Sequence, residues 1–156
     1  HSSLGPISER ERAVVETVNS YSPQTHYKTV ADQDGLDGGR SAARKLLATG
    51  FGPSAIICVN DFMAVGALRE LREQGIRVPE DISVTGFDNI KLSEYCYPPL
   101  TTVHIPRDQI GQIVFESLVA GTEPNWHGRE MVLEPELVLR ESTGAAPGAG
   151  SHRGGS

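Results

Sequence analysis

The sequence predicts an α/β fold in which helices flank a parallel β-sheet. From Ser8 to Phe87, apolar segments of strand length alternate with amphipathic helical segments. This alternation is typical of right-handed crossovers between parallel strands. The run from Ala55 to Val59 is apolar without interruption, which favours a strand covered on both faces.

The first predicted helix runs from Glu9 to Ser20. Ser8 and Glu11 have the spacing of a capping box, which marks the start of a helix. One face of this helix is apolar. That face carries Val14, Val15, Val18 and Tyr21.

A short strand and a second helix are predicted next. His26 to Val30 has the character of a short strand. A helical pattern then extends from Asp37 to Thr49, and Gly50 suits a left-handed stop. After the strand at Ala55, a third helix is expected from Phe62 to Gln74.

An aspartate and a glycine mark the ends of this third helix. Asp61 can cap its first turn, and Gly75 can end it. The apolar segment from Ile82 to Phe87 predicts the next strand. Beyond it, Asn89 to Pro99 reads as a loop or a short turn of helix.

The remaining elements are shorter, apart from one helix. An extended segment is predicted from Thr101 to Ile105, and Pro106 opens a helix that ends at Gly121. Two short strands are expected at Met131–Leu133 and Glu136–Arg140. Residues 144–156 are rich in Gly, Ala, Pro and Ser, and we expect a disordered tail there.

Composition and charge exclude several classes of function. The 156 residues carry a formal net charge of −6, which argues against binding of nucleic acid by this segment. The two cysteines show no disulfide framework, and no apolar stretch is long enough to span a bilayer. We therefore expect a cytoplasmic protein that does not contact a membrane.

The sequence also predicts no enzyme, no cofactor and no metal site. The histidines and cysteines have neither the spacing of a zinc site nor that of a catalytic triad. A nucleophile elbow, a Walker loop and a dinucleotide-binding glycine motif after a strand are likewise missing from the sequence.

Asn60 and Asp88 are the strongest candidates for ligand contact, because each follows a predicted strand. In an open α/β sheet, ligands bind outside the carboxyl ends of the strands. An amide can donate and accept hydrogen bonds, and a carboxylate can accept two hydroxyls. The alternatives are that Asn60 helps to cap a helix and that Asp88 only stabilises a turn.

Six separated motifs carry a family resemblance. They are Asn-Asp at residues 60–61, Ala-Val-Gly-Ala-Leu at 64–68, Val-Pro-Glu-Asp-Ile-Ser-Val at 78–84, Gly-Phe-Asp at 86–88, Pro-Pro-Leu-Thr-Thr at 98–102 and Leu-Val-Leu-Arg-Glu-Ser-Thr at 137–143. Together they resemble the effector-binding part of the lactose/galactose repressor (LacI/GalR) family of bacterial transcription regulators.

The resemblance implies a periplasmic-binding-protein-like (type I) lobe and an incomplete second lobe, with the ligand between the two. The effector-binding fragment would be residues 4–143. Its C-terminal lobe would comprise about 4–99 and 130–143, and about 101–121 would form a crossover and a helix of the other lobe. The apolar stripe of that helix, at Ile110, Ile113, Val114 and Leu118, would then be exposed.

Further site residues follow from the resemblance. Arg12 matches the arginine that the family points into the cleft, although a solvated helix arginine is the alternative. Asp34 stands where several relatives carry an aromatic residue that stacks on a sugar, and a carboxylate cannot stack. Ile105 stands where relatives often carry glutamine. These departures leave the identity of the sugar open.

A two-fold dimer is also implied by the resemblance. The family's C-terminal lobe contributes to such a dimer, and a two-fold contact uses the same patch on both subunits. The alternative is that these side chains pack beneath a loop of their own chain. The residues concerned are Leu92, Tyr95, Tyr97 and Leu100.

The function implied is that of the ligand-sensing part of a LacI-type regulator. It would bind a small hydroxylated effector, such as a sugar, and control operator binding by a helix-turn-helix that is absent from this chain. Its expected partners are the effector and a second copy, with DNA bound only through the missing N-terminal domain. The alternative is a solute-binding protein of the same fold that serves sugar transport or chemoreception.

Overall fold

The computed structural model describes residues 6–21, 24–121, 127 and 130–146. Its helices are α1 (Pro6–Tyr21), α2 (Leu36–Ala48), α3 (Asp61–Glu73), α4 (Leu92–Tyr95) and α5 (Arg107–Ala120). Its strands are β1 (Ala55–Ile57), β2 (Ser83–Thr85), β3 (Thr102–His104) and β4 (Glu136–Val138).

The strands form two small ladders that single bridges connect. β1 pairs with β2 in parallel, with Ile56 opposite Val84, as the alternating pattern predicts. β3 pairs with β4 in antiparallel orientation. Parallel bridges from Thr85 to Thr101 and from Asp88 to His104 join β2 and the residues after it to the β3 segment. The carboxyl ends of β1, β2 and β3 therefore meet along one edge.

The hydrophobic core lies between α3 and the strands. Ala64, Leu68 and Leu71 are spaced as one face of a helix, and all three are buried. They pack in one cluster with Ile82, Val84 and Leu100. This packing fixes the axis of α3 against β2 and so determines where the first residues of α3 stand.

Helices α2 and α3 cross at close range because glycines lie at the contact. A Cβ atom on Gly66 would come within 2.0 Å of the Leu36 carbonyl oxygen, and one on Gly39 would come equally close to that of Met63. Glu70 then joins the two helices through ion pairs to Arg40 (Nε to Oε2, 3.0 Å) and Arg44 (Nη2 to Oε2, 2.7 Å). The Glu70 side chain is almost completely buried.

Two predicted helix starts are wrong. α1 begins at Pro6, so Ser8 lies inside the helix and is not its cap. A proline is well suited to the first helical position because its missing N–H would have no helical partner there. α3 begins at Asp61, and Asn60, the residue before it, is the cap. The predicted stops at Gly50 and Gly75 are confirmed, with φ of +71° and +75°.

Three predictions about strands are corrected. His26–Val30 and Met131–Leu133 are irregular, because neither segment forms a ladder with another described strand. The run Ala55–Val59 shortens to β1 and is not covered on both faces, since Ile57 is 57% exposed. Ile56, on the opposite face of the strand, packs against the core cluster.

The C-terminal segment is held between β2 and the residues before β3. The Thr101 backbone N–H donates to Ser142 Oγ (2.8 Å), and Ser142 Oγ donates to the Val84 carbonyl (2.6 Å). The predicted disorder does not begin at residue 144, because the Gly144 N–H donates to Ser83 Oγ (3.1 Å). The rest of that prediction, from residue 147 onward, lies outside the described residues.

Of the apolar face of α5 that was expected to be exposed, Ile110, Val114 and Leu118 are exposed and Ile113 is half-buried. Leu118 is 70% exposed, and none of the α5 residues is buried. Among the described residues, every helix is too short or too polar to span a lipid bilayer.

The ion pairs of Glu70 generate a prediction about stability and pH. Hydrogen bonds from Arg44, with further ones from Gln74 and Arg40, lower the pKa of Glu70 from 4.5 to about 2. The carboxylate therefore stabilises the fold above pH 4.5, and this contribution is lost as pH falls toward 2.

We expect Glu70→Gln to lower the free energy of unfolding at neutral pH. The difference from wild type should shrink as the pH is lowered. Urea denaturation of both proteins between about pH 7 and pH 3 measures the difference. Glu80→Gln, which changes an exposed carboxylate, is the control and should have little effect. A difference between wild type and Glu70→Gln that stays constant with pH would contradict this account.

Candidate ligand-binding site at the strand tips

The structure brings the polar residues at the strand ends together. Asn60 follows β1, and its Nδ2 donates to Asp34 Oδ1 in the segment before α2 (2.6 Å). Asp88 follows β2 and lies in the electrostatic field of both Asp34 and Arg10. Three of the four predicted ligand residues, Asp34, Asn60 and Asp88, are therefore neighbours at one edge of the sheet. Arg12 is not among them.

Asn60 caps α3 and also faces the site. Its Oδ1 accepts a hydrogen bond from the Met63 backbone N–H (2.9 Å), which is the usual bond of an N-cap. The amide nitrogen is directed to Asp34. Because an amide NH₂ carries two hydrogens, Asn60 can still donate to a ligand. Its role as a ligand contact stays a prediction.

Asp61 is buried and connects the start of α3 with the segment after β2 and with the first residue of β3. Its Oδ1 accepts from Thr102 Oγ1 (2.5 Å) and its Oδ2 accepts from the Ile90 N–H (2.8 Å). Its own N–H donates to the Phe87 carbonyl (2.9 Å). The sequence predicted Asp61 only as a helix cap. Its buried hydrogen bonds to β3 and to the segment after β2 were not predicted. A carboxylate at the first turn of a helix is also favoured by the helix dipole.

The backbone at Asp88 is unusual. Asp88 has φ of +112° and Asn89 has φ of +50°, a conformation that costs residues with a Cβ atom about 1–3 kcal/mol each. The Asp88 N–H donates to the Val103 carbonyl (2.9 Å), and the Asn89 N–H donates to Thr102 Oγ1 (3.3 Å). These bonds hold the turn in place.

The Asp88 carboxyl group is partly desolvated. Burial raises the pKa of Asp88, and the negative charges of Asp61 and Asp34 add to this effect, whereas Arg10 and Arg107 oppose it. A carboxyl group with these surroundings gains by accepting hydrogen bonds from a ligand, because they replace the water that burial removes.

Arg10 occupies the position that was predicted for Arg12. The Arg10 Nη1 donates to the Val59 carbonyl (2.8 Å), and its guanidinium carbon lies 3.9 Å from the centre of the Phe87 ring. Arg12 points away and pairs with Glu16 on the exposed face of α1 (3.3 Å). The structure therefore brings Arg10, and not Arg12, to the strand ends, where its fork of donors is placed to meet a ligand.

A signal for Arg10 was present in the sequence. Arg10, Val14 and Val18 follow one another at intervals of four residues, and residues with this spacing share a helix face. All three are half-buried in the structure. The apolar stripe of α1 therefore selects Arg10 as the inward arginine, while the family motif alone selected Arg12.

The expected dimer surface is present only in part. Tyr95 is 74% exposed and Tyr97 is 77% exposed, and Leu92 is also exposed. Leu100 is completely buried in the core cluster, so its side chain cannot contact a partner. The prediction for Leu100 is wrong because the Pro98-Pro99 segment turns this residue under α4, where its N–H donates to the Ser93 carbonyl (2.8 Å).

Metal ligation has no support in the described part of the chain. There, no group of three or more His, Cys, Asp or Glu side chains is placed to hold a metal ion. The site is instead a mixture of donors and acceptors, with one guanidinium, one amide and two carboxylates around the strand ends.

The comparisons with known proteins agree with this architecture. A model of the periplasmic binding protein-like domain family matches residues 1–143. The chain belongs to this family. Its relatives and structural neighbours place it among the LacI-type effector-binding domains, which confirms both the resemblance and the fold class.

Two curated relatives illustrate the sequence similarity. The HTH-type transcriptional repressor PurR of Vibrio cholerae serotype O1 (strain M66-2) is 45% identical over 102 residues, which cover 65% of this chain and 30% of the relative. The ribose operon repressor of Haemophilus influenzae is 40% identical over 108 residues, covering 69% of this chain and 32% of the relative. The chain thus spans about a third of the length of these relatives.

Solved structures give the same result. A LacI family regulator from Enterococcus faecium with bound ribose has a TM-score of 0.80 at 29% identity, covering 90% of this chain and 52% of that one. The dimeric Lac repressor with an 11-residue C-terminal deletion gives the same four values. A LacI family regulator from Arthrobacter sp. FB24 in complex with lactose has a TM-score of 0.77 at 32% identity, with coverages of 86% and 51%.

The two roles of Asn60 can be separated by mutation. We expect Asn60→Ala to lower the free energy of unfolding by about 1 kcal/mol, because the cap of α3 is lost. Asn60→Ser keeps an oxygen that can cap the helix, and so it should restore most of that stability without restoring the bond to Asp34. Thermal denaturation of the three proteins checks this. Equal stability of the Ala and Ser variants would show that the cap contributes nothing.

Proposed function

We propose that this chain is the sugar-sensing part of a LacI-type transcriptional regulator. The observation that carries the proposal is the cluster of Arg10, Asn60, Asp34 and Asp88 at the carboxyl ends of parallel strands. Ligands of open α/β sheets bind at this edge. The relatives named above are repressors, and two of the similar structures contain ribose or lactose.

The chemistry of the cluster supports a ligand that is rich in hydroxyl groups. A hydroxyl both donates and accepts, so the carboxylates of Asp88 and Asp34 can accept from a sugar, and Arg10 can donate to it. A ligand held mainly by ring stacking is disfavoured, because Asp34 supplies no aromatic face. Phe87 is covered by the Arg10 guanidinium.

The regulatory mechanism would be a shift between two arrangements of the lobes. A sugar that binds one arrangement more tightly increases its population, and the attached DNA-binding domain responds to that population. The expected DNA-binding part is a helix-turn-helix outside this chain. The chain itself carries an excess of negative charge, so we propose that it reaches DNA only through that domain.

The proposal predicts a clear difference between two neighbouring arginines. In the full-length protein, Arg10→Met and Asp88→Asn should each weaken binding of D-ribose about tenfold to a hundredfold, since each removes a hydrogen bond that involves a charged group. Arg12→Met, the matched control on the outer face of α1, should change the Kd by less than about twofold. Isothermal titration calorimetry gives the three constants.

Two results of this titration would contradict the proposal. Wild-type protein that binds neither D-ribose nor lactose would overturn the assignment of a sugar effector of these kinds. A loss of affinity in Arg12→Met with normal affinity in Arg10→Met would place the site on the other face of α1.

We further propose that the protein is a homodimer that uses the exposed residues Leu92, Tyr95 and Tyr97. The similarity to the dimeric Lac repressor and the exposure of the two tyrosines support this surface. Tyr95→Glu should bury one uncompensated charge on each side of a two-fold contact and so shift the protein toward monomer at micromolar concentration. Light scattering measures the mass, and Tyr27→Glu, at an exposed tyrosine elsewhere, is the control. A dimer that survives Tyr95→Glu would locate the contact elsewhere.

A further inference from the structure

We infer that Arg107 is a positioning residue that holds the Asp88–Asn89 turn and joins it to the start of α5. Arg107 Nη1 donates to the Asp88 carbonyl (2.7 Å), and Nη2 donates to the Asn89 carbonyl (3.1 Å). The inference deepens the proposed function and rests on it, because it concerns the residue proposed to contact the sugar.

The two bonds suit a guanidinium in particular. Two successive carbonyl groups point to the same side of the turn, and a planar fork with two parallel N–H groups can bind both at once. A lysine carries a single ammonium group and can reach one of them well. The positive charge of Arg107 also opposes the effect of burial, which raises the pKa of Asp88.

Arg107 completes the hydrogen bonding of the turn. The N–H groups of Asp88 and Asn89 bind the Val103 carbonyl and Thr102 Oγ1 on the β3 side. Their carbonyl groups accept hydrogen bonds from Arg107. Since positive φ is unfavourable at both residues, the turn persists only where its surroundings determine it from several directions.

The backbone before α5 sets the direction of the Arg107 side chain. Pro106 has φ of −74° and ψ of 73°, and the Arg107 N–H donates to the Ile105 carbonyl (2.7 Å). These values define an inverse γ-turn, and the proline ring favours its φ. His104, which lies two residues before Pro106, forms a bridge with Asp88. The two hydrogen bonds from Arg107 to the carbonyl groups of Asp88 and Asn89 form a clamp on the turn. A tilt of α5 would therefore move this clamp directly.

The test compares three variants of the full-length protein. Arg107→Met removes the fork, Arg107→Lys keeps the charge with one donor group, and Arg72→Met is the control at an exposed arginine in the last turn of α3. Two quantities are measured. They are the hydrogen-exchange rates of the backbone amides of Asp88, Asn89 and Ile90 without sugar, and the Kd for D-ribose.

In Arg107→Met we expect exchange of the three amides to accelerate about threefold to tenfold, because the clamp suppresses local opening of the turn. The Val84 amide in the core should exchange at the wild-type rate. Arg107→Lys should restore part of the protection, and Arg72→Met should be unchanged. Affinity for D-ribose should fall about fivefold in Arg107→Met, with partial recovery in Arg107→Lys.

The two readouts distinguish this inference from the proposed function. Unchanged exchange of the three amides in Arg107→Met would overturn the positioning role, whatever the sugar titration shows. Acceleration that extends equally to Val84 would also overturn it, because it would indicate general destabilisation. Accelerated exchange confined to the turn, in a protein that does not bind ribose, would support the clamp and count against ribose as the effector.

Discussion

The buried carboxylate of Asp61 is the constraint on which the arrangement of the strand ends depends. It accepts hydrogen bonds from Thr102 in β3 and from Ile90 after β2, while its N–H binds the carbonyl of Phe87. A Cβ atom on Gly86 would lie 2.2 Å from its Oδ1, so the close packing requires glycine there. A buried carboxylate is stable only when it is fully hydrogen-bonded. Asp61 therefore holds the start of α3, the segment after β2 and the first residue of β3 in one relative position.

The candidate site follows from this arrangement. With the strand ends fixed, Asn60 can cap α3 and turn its amide nitrogen to Asp34, and the turn at Asp88 can keep its unfavourable φ. Arg10 contacts the site from α1 on one side, and Arg107 contacts it from the start of α5 on the other. The polar groups are thus held from several separate elements, which is how binding sites obtain a defined geometry.

Much of this could be predicted from the sequence, and the failures have identifiable physical causes. Parallel pairing and the convergence of Asn60 and Asp88 follow from hydrophobic patterning, because strand ends share an edge. Arg10 was missed because the rotation of a helix depends on its apolar face and not on a local motif. The cap was assigned to Asp61 because an aspartate at a helix start usually caps, whereas here it is buried and bound to β3. The burial of Leu100 depends on contacts distant in sequence, which no local pattern reports.

A crystal structure of the full-length protein with D-ribose would show directly whether the sugar binds at the strand ends. We expect sugar hydroxyls within about 3.2 Å of the Asp88 carboxylate and of the Arg10 guanidinium, with Arg12 on the solvent side of α1. A sugar bound elsewhere in the molecule, with Asp88 and Arg10 free of contact, would contradict it.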